Sequence, residues 1–284
     1  MESIKNFLRD GLRAKRFFLS LLVAAAILAV PALALAAGEK LSFDPAAERE
    51  LVRLLNEERS KEGLPRLELE ERLVESARAH AMEMAQHDQI AHQLPGEPEL
   101  EKRVARTNLR ADFTGENVAV NSDAASAHHA LMNSPGHRAN MLHPKYNAVG
   151  MGVVRRGDTI YVAQNFAHRM AEISDEKAEE EILKAVNKAR RKMPRVARYE
   201  DRHWHNVACD MAKRDKIELR SVPPQGGGGY MLAYTTGALD EVSSQAARLL
   251  GSDPAIRLVS LGACFARSES YPNGAYWIVM VLYH

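Results

Sequence analysis

The chain has 284 residues, 46% of them hydrophobic, with 38 Lys and Arg against 37 Asp and Glu. That length can bury one large core or two ordinary ones. A formal net charge of +1 excludes a nucleic-acid binder driven by bulk electrostatics, which needs a clear basic excess or stripe.

The chain opens with "MESIKNFLRDGLRAKR", then the apolar run "FFLSLLVAAAILAV", then "PALALAAGEK". A basic start, an apolar middle and the small-x-small Ala34-Leu35-Ala36 are the parts of a secretory signal peptide, residues 1–36. Phe17 to Ala37 is also 21 residues, long enough for an uncleaved anchor. Both readings export the rest of the chain, to the periplasm, the medium or the outer membrane face, and only the anchor keeps it at a membrane. Cleavage after Ala36 removes five basic and two acidic residues and moves the net charge from +1 to −2.

Two helices come next. The first carries Asn56 and Arg59. In the second, Leu73, Ala77, Ala81 and Met84 fall at helical spacing and mark the buried face. His92 comes just past its end, in "QIAHQLPG", and Glu116 sits in "FTGENVAV". In "MNSPGHRANML" Ser134 suits an N-cap, Pro135 the first helical position, and His137 the third. The positive end of a helix disfavours a protonated imidazole, so a neutral ring there keeps a lone pair for a metal or a proton. "NAVGMGVVRRGDTIYVAQNFAH" then reads as strand, tight turn at Arg156-Gly157-Asp158, strand.

The pattern recurs. From Glu180 a helix carries Asn187 and Arg190, and a second ends in Ala208, Met211, Ala212 and Asp215, matching Ala81, Met84, Ala85 and Asp88. A hairpin with a longer turn, Pro272-Asn273-Gly274, closes the chain. Self-similarity at both ends, in one order, predicts tandem copies of an α+β domain at 45–170 and 175–284. The acidic run near Glu180 is expected to be a solvated helix start, with Glu180 and Lys184 paired. "VPPQGGGG" (222–229) is a loop. "KARRKMPRVARYEDR" reads as a solvated basic helix face. The two cysteines, Cys209 and Cys264, lie in apolar stretches as a disulfide or as two buried thiols. A bridge would stabilise by about 4 kcal/mol on the chain-entropy model.

"AHAMEMAQHDQIAH", "GENVA", "LMNSPGHRANML", "AVGMGV" and "YVAQNFA", in this order, resemble the bacterial branch of the CAP superfamily, the SCP domain of cysteine-rich secretory proteins, antigen 5 and pathogenesis-related proteins. The resemblance covers Ala46 to His168. It implies an α-β-α sandwich with a central antiparallel sheet. It also implies a cavity of two His and two Glu, of which His92, Glu116 and His137 take three places. The fourth is a Glu three residues after a Trp. Here Leu131 and Ser134 stand at those positions, and many bacterial members also carry Ser at the second.

The expected cleft therefore comprises His92, Glu116, His137, Ser134, Asn117 and Gln164, with Asn165 beside it. His92 and His137, with Glu116 as a further candidate, would hold one divalent metal, zinc first. Glu116 is alternatively a group that orients one ring. Two functions stay open. One is an exported binding module for a metal and a small apolar or cell-envelope ligand. The other is a metal-dependent hydrolase of peptides or envelope material with Glu116 as base. A serine mechanism at Ser134 is the poorer option, because an N-cap oxygen is committed to a backbone N–H. His80, His87, His128, His129, His203 and His205 read as packing or surface groups. The second copy is expected to be degenerate: Ile256 opposes His137, "GYMLAY" opposes "GENVAV", and "IELRSV" has no ring opposite His92.

Overall fold

A computed structural model describes residues 39–219 and 229–284. The expected signal segment and most of loop 222–229 lie outside these residues. Among the described residues, no helix is long and apolar enough to cross a membrane.

Strand β1 (Leu41–Phe43) leads into helix α1 (Pro45–Lys61). The start of α1 is fixed locally. Asp44 accepts the Ala47 N–H at 3.0 Å, and Pro45 occupies a position whose amide needs no helical partner. Then come β2 (Glu68–Leu69), α2 (Glu71–His87), α3 (Leu100–Arg106), β3 (Ala111–Asn121), α4 (Ala124–Asn133) and α5 (Pro135–Met141). The hairpin of β4 (Ala148–Arg156) and β5 (Thr159–Arg169) completes the first half. The sheet runs β1-β4-β5-β3, with β2 parallel to β4. Leu51 and Leu55 of α1, Leu131 of α4 and Met141 of α5 pack on one face. Ala77, Ala81 and Met84 of α2 pack on the other. This is the α-β-α layering and mixed α+β class expected from the sequence, and the apolar stripe of α2 is fully buried.

The second half contains α6 (Asp175–Ala189), β6 (Ala197–Arg198), α7 (His203–Lys213), β7 (Gly229–Thr236), α8 (Ser244–Ser252), β8 (Leu258–Ala266) and β9 (Ala275–Tyr283). Its sheet runs β6-β8-β9-β7, with β6 parallel to β8 as β2 is to β4. The residues that recur in sequence do the same work in both halves. Asn56 donates to Leu67 O and accepts from Leu67 N, and Asn187 holds Val196 in the same way. Buried Arg59 donates to the carbonyls of Pro65, Met141 and His143, and buried Arg190 to those of Pro194, Leu250, Asp253 and Ile256. These carbonyls offset much of the cost of burying a guanidinium; Arg59 Nη2 alone of the two groups' nitrogens is buried without a partner among the described residues. Asp88 and Asp215 end α2 and α7 in the left-handed region, at φ 51° and 50°. The next amides return to Met84 O and Met211 O. Gly152 and Gly262 let the backbones of α2 and α7 lie directly on the sheet: a Cβ at either would collide with helix backbone.

Several details differ from the sequence reading. The strand ladders pair Asn165 with Glu116, and Val281 with Met231. Met231, rather than Tyr230, therefore stands where Glu116 does, one residue along from the sequence match. A single helix, α8, joins β7 to β8, so α5 has no counterpart among the described residues, and Ile256 lies in a buried turn. Lys184 pairs with Glu181 at 2.8 Å, not with Glu180. The basic run after Ala189 is turn and short strand rather than helix, and its Arg190 is buried. Cys209 and Cys264 form a disulfide.

The two halves meet around the end of α3. Arg267 donates to Asn108 O at 2.7 Å and Leu109 O at 3.2 Å. The Arg110 guanidinium lies 3.8 Å from the centre of the Phe265 ring.

Candidate functional site

The site is assembled on β3, an edge strand whose ladder partner is β5. Helix α5 is fastened to it by amides. Asn140 donates to Glu116 O at 3.1 Å and to Asn117 Oδ1 at 3.0 Å. Asn117 donates to His137 O and to Gln164 Oε1, both at 3.1 Å. Asn117, Gln164 and Asn165 are fully buried. Asn117 joins β3 to β5 through Gln164 and to α5 through the His137 carbonyl. Asn165 points elsewhere, donating to Ser76 Oγ. Gly115 is required by close approach: the Tyr146 hydroxyl occupies the place of a Cβ there.

His92 and Glu116 come together. The ring Nδ1 lies 3.1 Å from Glu116 Oε1. A carboxylate only accepts, so Nδ1–H donates and the neutral ring leaves its lone pair at Nε2. The His92 side chain is 62% exposed while that of Glu116 is 3% exposed. The other oxygen, Oε2, accepts from Arg103 Nη2 at 2.8 Å. Each Glu116 oxygen thus accepts one hydrogen bond, which fixes the orientation of the carboxylate.

Sequence reasoning missed the groups behind Glu116. Arg103 also donates to His92 O at 2.9 Å, so one guanidinium fixes both the carboxylate and the loop carrying the ring. His80, which the sequence reads as a packing group, is fully buried, with Nδ1 2.7 Å from Glu97 Oε1 and Nε2 2.9 Å from Ala91 O. Both its nitrogens face oxygen atoms of the loop after α2, which holds that loop against the helix.

His137 sits in the first turn of α5, half-buried. Burial, and then the charge of His92, push its pKa below 6.5, so the ring is neutral at neutral pH. Ser134 takes the N-cap position, but its side chain makes no capping hydrogen bond, contrary to expectation. Among the described residues, the one set of three His, Cys, Asp or Glu donors within 4.8 Å of one another is Asp175, His205 and Cys209. His92, Glu116 and His137 do not form such a set.

A groove of about 340 Å³ runs past His92, Glu99, Glu101, Thr114 and Glu116. A second, of about 490 Å³, shares Glu101 and Thr114 with it and continues to Thr235 and Tyr271 of the second half.

The class of protein is set by an α-β-α layering, with Glu116 on an edge strand facing His92 of the loop after α2. Residues 52–166 match the family described as the cysteine-rich secretory protein family, CAP. Over these residues the chain is similar to bacterial proteins of that family. It is similar to the uncharacterized protein YkwD of Bacillus subtilis, 34% identical over 113 residues, which cover 39% of this chain and 44% of that protein. It is also similar to the uncharacterized membrane protein YlbC of the same organism, 32% identical over 43% of this chain and 35% of that one. A solved structure of an extracellular SCP-domain protein from Bacillus anthracis is 28% identical, covering 44% of this chain and 41% of that chain, with a TM-score of 0.41. The chain spans less than half the length of the curated relatives it matches.

Proposed function

We propose that this is an exported binding module whose CAP domain, residues 45–170, holds one divalent metal between His92 and His137 and takes a polar cell-envelope ligand along the adjoining groove. The observation that carries the reading is the Nδ1 contact of His92 with a buried carboxylate. It orients the ring and leaves Nε2 as a donor, beside a second imidazole held neutral. Zinc suits two imidazoles with open positions, and when bound it supplies a Lewis-acid centre for a ligand oxygen. The groove beside His92 is lined by Glu99, Glu101, Glu116 and Thr114, which favours a polar ligand group there, and its extension adds apolar surface from Phe113, Tyr271 and Pro272. Binding is favoured over hydrolysis because Glu116 is held between His92 and Arg103, a placement that suits orienting the ring. Export rests on the N-terminal segment.

Residues 175–284 we read as a degenerate second CAP-like domain. The reading is supported by the common strand order and by the paired roles of Asn56 and Asn187, and of Arg59 and Arg190. Met231 replaces Glu116, and among the described residues no helix replaces α5.

Zinc titration of the purified oxidised protein tests the metal. One ion per chain is expected, lost on His92→Ala or His137→Ala and kept on His203→Ala. Zinc binding that survives both of the first two variants refutes the site.

A further inference from the structure

We propose that the second half holds a separate, redox-gated divalent-metal site made of Asp175, His205 and the sulfur of Cys209, closed while Cys209 is bonded to Cys264. This site is independent of the His92–His137 cleft and shares no residue with it. His205 and Cys209 are one helical turn apart on α7, so their side chains share a face. Asp175 comes from the first position of α6. The donor atoms of all three already lie within 4.8 Å of one another.

The geometry of each group favours a metal. His205 Nδ1 lies 2.8 Å from the carbonyl of Ala263, which only accepts, so Nδ1 carries the hydrogen. In the neutral ring the lone pair is then at Nε2, and Nε2 faces Cys209 Sγ at 3.7 Å. A backbone carbonyl fixing one nitrogen while the other faces a sulfur is how a ligating histidine is oriented. Asp175 Oδ1 accepts the Phe265 N–H at 2.9 Å, which fixes the carboxylate and leaves its second oxygen as a donor. All three side chains are partly exposed, so an ion can reach them.

With the disulfide intact, Cys209 is a poor donor, because a divalent ion of this kind binds the thiolate. A dithiol reductant opens the site in a balanced step. One of its thiolates attacks the disulfide, the Cys209–Cys264 bond breaks, and the second reductant sulfur displaces the mixed disulfide. The cysteines gain two electrons and two protons, and the reductant leaves as a cyclic disulfide. Binding of M²⁺ then releases the proton of Cys209. Thiolate, imidazole and carboxylate with an open fourth position suit zinc or its spectroscopic stand-in, cobalt(II).

Cobalt(II) titration of the intact chain tests this, because a thiolate–cobalt charge-transfer band appears only when sulfur is a ligand. The His92–His137 cleft offers no sulfur, so the two sites are read separately. The oxidised protein should show no such band. The dithiothreitol-reduced protein, freed of excess reductant under anaerobic conditions, should show it at one ion per chain. Cys264→Ser should show it without any reductant. Cys209→Ser should never show it, and His205→Gln in the Cys264→Ser background should lose it. The two cysteine variants lack the same disulfide, so a general loss of folding would affect both alike. A circular-dichroism melt of each verifies that they match. Absence of the band in folded Cys264→Ser, its presence in Cys209→Ser, or its survival on His205→Gln would each overturn the site.

Discussion

At the scale of single residues, the candidate site depends on charges held out of water. Glu116 lies between His92 and Arg103, and its side chain and that of Arg103 are 3% and 6% exposed. Glu116→Gln removes the nearer of the two carboxylates at the buried Arg103 guanidinium and leaves Glu97, 3.6 Å from its Nε. Such a loss destabilises by about 3 kcal/mol. It also frees His92 from its fixed tautomer, which lowers metal affinity by roughly tenfold or more. Urea unfolding and zinc titration of the same variant measure the two effects, and a variant that is fully stable with unchanged affinity contradicts the role given to Glu116. His137 gives a pH signature. Its folded pKa lies below 6.5, so between that value and 6.5 the unfolded chain binds more protons than the native one. The metal-free protein should therefore lose stability relative to His137→Gln as the pH falls below 6.5, and the difference should be constant above it. Parallel unfolding curves at pH 7.5 and 5.0 would mean that the ring is not desolvated. His92, Glu116 and His137 are legible because each stands in a motif of fixed order. Arg103, Glu97 and His80 are not, because nothing local in a sequence says that a helix Arg and a loop Glu will share a buried carboxylate's neighbourhood.

At the scale of elements, glycines with similar surroundings in sequence have opposite meanings in the fold. Gly152 and Gly262 lie where α2 and α7 cross their sheets, and a Cβ would strike the backbone at Ala77 or Trp204. Gly136, in the first turn of α5, has open space where a Cβ would go. Gly152→Ala and Gly262→Ala should each destabilise by about 2 kcal/mol or more, because neither a strand nor a helix backbone can move aside cheaply. Gly136→Ala should be neutral or stabilise by about 0.5 kcal/mol through the unfolded state, and should leave zinc binding unchanged. Thermal melts of the three variants decide this, and a loss of stability at Gly136 would show that α5 needs backbone freedom there. The elements themselves are largely readable. Apolar spacing marks α2, and turn residues at Gly157 and Gly274 mark the two hairpins, where φ is 56° and 90°. The absence of an α5 counterpart is not readable, since "LLGSDPAIR" keeps a proline at the matching place but spends its residues on the end of α8 and a turn. The one-residue offset that puts Met231 opposite Glu116 is hidden for a related reason: sequence matching aligns a glycine, while the ladder is set by side chains alternating between the faces of the sheet.

At the scale of the whole described chain, each half has its own sheet and its own core, and the contact between them is narrow and polar. Arg267 reaches the carbonyls of Asn108 and Leu109, Arg110 lies over Phe265, and Tyr276 donates to Ala171 O at 3.4 Å. Asn108 accepts Arg267 from a left-handed backbone, at φ 61°, which an Asn tolerates better than most residues. Removing two guanidinium groups should therefore weaken the coupling without harming either core. In the Arg110→Ala, Arg267→Ala double variant, calorimetric unfolding should separate into two transitions. Zinc should raise the one that belongs to residues 45–170, by mass action on the native first half. Reduction should lower the other, because Cys209 and Cys264 both lie in the second half and their bridge is worth about 4 kcal/mol on the chain-entropy model. A single transition in the double variant, moved together by zinc and by reductant, would mean that the halves fold as one cooperative unit and that the longer groove from Glu101 to Tyr271 is a rigid feature rather than one that opens between two bodies.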